Sequence, residues 1–141
     1  MRQKWAPWLL LLTLACKGNG PSAPTPPLSA QDLSGAWTGT FDSADFADCD
    51  RNTPAQASFQ QEGSTVTGTL SSPTNFCGPR DAQFSGTLQG DTLAGTVTGS
   101  AVGNGVYTNA HASGTLSGSS LEIEIVNGHG LIPGGTLHLH R

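Results

Sequence analysis

Four histidines, ten carboxylates and three cysteines are the groups of this 141-residue chain most able to do chemistry. His138 and His140 stand two positions apart, a spacing that on a strand puts both on one face as metal ligands can be, with His111 and His129 as further donors. Asp42, Asp45, Asp48 and Asp50 crowd one segment and offer oxygen ligands for calcium, but their spacing is not that of a calcium loop. Both sets read more simply as solvated groups, so neither a metal nor a cofactor is expected. Hydroxyls are abundant, yet no Gly-x-Ser-x-Gly elbow and no His-Glu-x-x-His helix occurs, and the expectation is a non-enzymatic protein. The cysteines are the sharper signal. Three thiols leave one without a partner in an oxidising compartment, and no Cys-x-x-Cys spacing points to zinc.

The N-terminal residues account for the odd thiol. Arg2 and Lys4 give a positive start, Trp8 to Leu14 a short apolar core, and Ala15 a small residue before Cys16, the pattern of an export signal. The core is too short to span a bilayer. Thr13-Leu14-Ala15-Cys16 resembles the lipobox of bacterial lipoproteins, with Thr13 at a position where that pattern usually has leucine. The resemblance implies that residues 1–15 are removed and that Cys16 is diacylated at sulfur and becomes the new N-terminus. It places the protein in the bacterial cell envelope as a lipid-anchored component. Lys17 after Cys16, rather than aspartate, looks like the pattern sorted to the outer membrane in diderm bacteria. An ordinary cleaved secretory signal is the alternative. With Cys16 acylated, Cys49 and Cys77 remain as a natural disulfide, worth about 3 to 4 kcal/mol if unstrained.

Removal of Arg2 and Lys4 makes the formal charge of −4 more negative by two, leaving Lys17, Arg51, Arg80 and Arg141 as cations. That balance argues against nucleic acid as a partner and against a polybasic grip on anionic lipid. Residues 16–31 are dominated by Gly, Pro, Ser and Ala and read as a stiff, extended tether. The folded domain is expected over 32–141.

Within it the dominant period is two. Trp37-x-Gly39-x-Phe41, Val66-x-Gly68-x-Leu70, Phe84-x-Gly86-x-Leu88, Leu93-x-Gly95-x-Val97 and Leu121-x-Ile123-x-Ile125 alternate with Thr, Ser, Gln and Glu, as half-buried strands do. Strands are expected at 35–42, 56–61, 64–71, 81–88, 92–99, 106–116, 120–126 and 135–140. Gly63, Gly90 and Gly118 mark tight hairpins, and Ser85-Gly86-Thr87-Leu88-Gln89-Gly90 is echoed by Ser113-Gly114-Thr115-Leu116-Ser117-Gly118. The expected fold is all-β, an eight-stranded antiparallel up-and-down barrel, with a β-sandwich as the alternative. In a meander the long connections gather at one end, so Cys49 and Cys77 fall in neighbouring loops of one rim.

Leu33-Ser34-Gly35-Ala36-Trp37-Thr38-Gly39 looks like the first strand of the calycin-type barrels, lipocalins and avidins, in which a Gly-x-Trp motif packs tryptophan across the barrel floor. The resemblance implies that Trp37 is a floor residue and that a cavity opens at the long-loop rim. The inward set is Trp37, Phe41, Phe59, Val66, Leu70, Phe84, Leu88, Leu93, Val97, Leu116, Leu121, Ile123, Ile125, Leu137 and Leu139, enough to do most of the filling of so small a barrel. Gly39, Gly68, Gly86, Gly95 and Gly114 share that face, either as space for a ligand or, better, as positions that let strands coil tightly. The function expected is a binding module that takes a small apolar ligand inside or a protein partner at the rim. A periplasmic hydrolase inhibitor and a structural envelope component are the alternatives.

Overall fold

A computed structural model describes residues 31–44, 49–75, 77–101, 105–126 and 134–141. Eight strands follow one another: β1 (Gly35–Ser43), β2 (Thr53–Glu62), β3 (Thr65–Ser71), β4 (Pro79–Gln89), β5 (Thr92–Ala101), β6 (Val106–Ser117), β7 (Ser120–Val126) and β8 (Gly135–His140). Each pairs antiparallel with the next, and β1 closes the ring on β8 through a register running from Thr38 opposite His140 to Ser43 opposite Gly135. Closure leaves no free sheet edge. The fold is therefore the up-and-down barrel and not the sandwich. No helix occurs among the described residues.

Three turns set the meander. Gly63-Ser64, Gly90-Asp91 and Gly118-Ser119 are the two-residue loops of the β2–β3, β4–β5 and β6–β7 hairpins, with the glycine φ near +60° in each. The residue after each glycine is outside the positive-φ region, the pattern of a type II′ turn, whose twist matches that of paired strands. β2 and β4 begin earlier than the apolar alternation suggests, because Pro54 and Pro79 take ladder positions opposite Thr40 and Ala101. Near a strand's beginning the missing N–H is tolerated.

All fifteen expected inward side chains are buried, and Leu33, Ala82, Tyr107 and Ala110 join them with no exposed surface. Three of the inward glycines, Gly68, Gly86 and Gly95, lie against aromatic rings, whereas Gly39 and Gly114 lie against the facing strand. Gly86 and Gly95 are directly opposed, and a Cβ on either would meet the backbone of the facing strand and the tip of the Phe84 ring at 2.7 or 2.8 Å. Phe59 lies over Gly68 in the same way, and its ring meets Phe84 edge to face, centroids 5.9 Å apart. Strand coiling and ring packing thus occupy the space that a hollow barrel would leave at these positions.

Candidate functional site

The described ends of the strands flanking the β1–β2, β3–β4, β5–β6 and β7–β8 connections lie at one end of the barrel, the three hairpin turns at the other. At the long-loop end Cys49 and Cys77 form a disulfide, Cα atoms 5.5 Å apart, tying the β1–β2 and β3–β4 connections together. The hub beside it is Asn75, which has no exposed surface. Its Oδ1 accepts from Ser43 Oγ (3.0 Å) and from the Cys77 N–H (2.9 Å). Its Nδ2 donates to the Asp50 carbonyl (2.9 Å) and to Thr53 Oγ1 (2.8 Å). All four hydrogen-bonding sites of the amide are thereby used. Ser72 Oγ donates to the Pro54 carbonyl (2.9 Å), and the buried Tyr107 hydroxyl donates to the Cys77 carbonyl (3.1 Å). Burial pushes the Tyr107 phenol well above its usual range. Gly78 packs against Asn75, Ser72 and Phe41. The connection 72–78 is therefore drawn onto the end of the core and fixed to β1, β2, β6 and the preceding loop.

An Asn75→Ala variant leaves the Cys77 N–H and the Asp50 carbonyl without this partner and is expected to cost on the order of 3 kcal/mol, since each orphaned buried group costs about 1–3 kcal/mol. A urea titration followed by circular dichroism reads this as a lower midpoint at unchanged slope. An unchanged midpoint would mean that solvent replaces the network.

At the turn end Trp37 is 1% exposed. Its indole N–H donates to the Leu33 carbonyl (2.9 Å), and the Arg141 guanidinium stacks 4.7 Å above its ring. Arg141 also reaches the Ser34 carbonyl (3.4 Å). The Leu33 N–H donates to Gln61 Oε1 (2.8 Å), which fastens the entering chain to β2. Asp32 accepts from the Ser34 N–H (2.8 Å), and this bond holds its carboxyl below the usual range. The chain thus enters and leaves the barrel side by side.

A third cluster lies on the outer wall across the closing seam. His138 of β8 presents Nδ1 to Glu122 Oε2 on β7 (3.3 Å) and Nε2 to Asp42 Oδ2 on β1 (3.6 Å). Glu122 faces His138 directly in the ladder, and Ser120 faces His140. A groove of about 490 Å³ runs here, lined by Thr115, Ser117, Ser120, Glu122, His138 and His140. Further grooves of about 330 and 290 Å³ lie on the outer faces of β1–β3 and β7–β8.

Of the residues singled out by sequence, Cys16, Asp45, Asp48 and His129 lie outside the described residues. Asp42 accepts from the Asn52 N–H (2.6 Å) as well as facing His138, so it braces the β1–β2 connection. His111 is on β6 opposite Thr96 and Val126, apart from the His138 cluster. Among the described residues no three histidine, cysteine or carboxylate side chains converge closely enough to hold a metal ion. Asn75 and Tyr107 are the structural residues that sequence reasoning does not reach. Comparison with protein-family models, with curated proteins and with solved structures finds no match to this chain.

Proposed function

We propose that this protein is a lipid-anchored component of the bacterial envelope whose barrel is a non-enzymatic binding module, taking a protein partner on its long-loop end. The observation that carries the reading is the packed interior together with the pinned 72–78 connection. Rings and aliphatic groups occupy the volume that an apolar ligand would need, so recognition falls to the outside of the barrel. A disulfide and a saturated amide fasten Cys49, Asp50, Asn75 and Cys77 to one another there, and loops on a rigid scaffold are the usual place for recognition of other molecules. The position of the chain ends supports the orientation. A tether entering beside Arg141 draws the turn end toward the lipid and leaves the long loops facing away.

The test places a photo-crosslinking residue at exposed Thr74, on the long-loop end, or at exposed Asp91, in the β4–β5 turn, of the full chain in its host. A discrete higher-mass protein adduct from Thr74 and none from Asp91 is the expected result. Adducts from Asp91 alone, or a small molecule retained in native mass spectrometry, would overturn it. In the same cells Cys16→Ser should move the protein from the membrane to the soluble fraction, and a variant that stayed in the membrane would remove the anchor.

A further inference from the structure

We propose that the outer-wall groove across β7 and β8 is a binding site for a zinc-class divalent transition-metal ion, held by His138, His140 and Glu122 and oriented by Asp42. The inference is independent of the rim reading. His138 and His140 are i and i+2 on one strand and project from the same face, and Glu122 is directly opposite His138 on the adjoining strand. Three ligands at such positions form a triangle with sides of roughly 5 to 8 Å between Cβ atoms, within reach of two imidazoles and a glutamate.

Half of the site stands ready. Ligand atoms about 2.0 Å from a tetrahedral ion lie about 3.3 Å from one another, and His138 Nδ1 is 3.3 Å from Glu122 Oε2. The other ring nitrogen faces the Asp42 carboxylate at 3.6 Å. A carboxylate beside the far nitrogen of a ligating imidazole orients the ring once the two close to hydrogen-bond distance. His140 lines the same groove and completes the set by turning about its side-chain bonds, since the three do not converge as they stand. The surroundings suit a cation. Ser117, Ser120 and Thr115 supply neutral hydroxyls, and Arg141, next in sequence to His140, is stacked over Trp37. Two imidazoles with one carboxylate select zinc, copper or nickel over the oxygen-seeking calcium and magnesium.

The experiment is a calorimetric titration of Zn²⁺ into the full chain, purified in detergent without a histidine tag, with Co²⁺ absorption as a second readout of coordination. Saturable one-to-one binding is expected, with a tetrahedral Co²⁺ spectrum. His138→Ala and His140→Ala should each weaken it by at least about tenfold, and Asp42→Asn, a change to a positioning residue, by about tenfold or less. His111→Ala should leave it unchanged. All these side chains are on the outer face, and circular dichroism checks that each variant is folded. Absence of saturable binding at millimolar Zn²⁺, or affinity that survives both histidine changes or is lost with His111, would overturn the proposal.

Discussion

Replacing Trp37 with alanine should lower the stability of the barrel by about 3–5 kcal/mol, the largest effect expected of any single side chain here. The residue is essentially buried, so truncation opens a cavity that only partial collapse can fill. It also orphans the Leu33 carbonyl, which accepts the indole N–H, and strips the Arg141 guanidinium of the ring beneath it. The damage is local to the turn end. Trp37→Phe keeps most of the ring and should recover most of the loss, leaving about 1–2 kcal/mol for the missing donor and its unpaired carbonyl. Chemical denaturation followed by far-ultraviolet circular dichroism checks both. Equal losses in the two variants would show that the hydrogen bond to Leu33, and not the bulk of the indole, closes this end.

Breaking the Cys49–Cys77 disulfide is the second large effect. Its residues are 28 positions apart, and a cross-link closing a loop of that size stabilises by about 3 to 4 kcal/mol, chiefly by restricting the unfolded chain. A Cys49→Ser, Cys77→Ser double variant should lose that amount, and the unaltered protein under reductant should fall to the same midpoint. The loss should not simply add to that of Asn75→Ala. Asn75 accepts from the Cys77 N–H, and Tyr107 donates to the Cys77 carbonyl, so the bridge and the amide hold the same few residues. Groups in one network couple by about 0.5–3 kcal/mol. A double-mutant cycle that came out additive would show that the loop has two independent fastenings.

Much of this architecture is legible from residue order because a barrel wall imposes one rule along its length. The alternation in Leu121-Glu122-Ile123-Glu124-Ile125 has a single physical solution when one face is buried and the other wet, and the glycine-led turns fix where each strand reverses. What escapes the pattern does so for identifiable reasons. Projecting back along β6 from the inward Leu116 puts Val106 inside and Tyr107 outside, but the reverse holds. A bulge in β6, where Thr108 and Asn109 (φ 49°) together oppose the single β5 residue between Val97 and Gly99, inserts an extra residue and flips the face beyond it. Asn75 carries no mark in a Ser-Pro-Thr-Asn stretch that any surface turn could have. Its burial depends on the partners that β1, β2 and the Cys49 loop bring to it, which lie far away in sequence. The His138 pairing likewise crosses the seam between β1 and β8, where strands from opposite ends of the domain become neighbours.

The entry of the chain beside its own exit has a mechanical corollary. β1 is bonded on one flank to β2 and on the other to β8. Tension applied through the residues before Leu33, against a load on the opposite end of the cylinder, would run along β1 and shear both ladders together. A strand at an open border would instead be peeled away one bond at a time. A ring of strands pulled in this way shares the force between two rows of bonds.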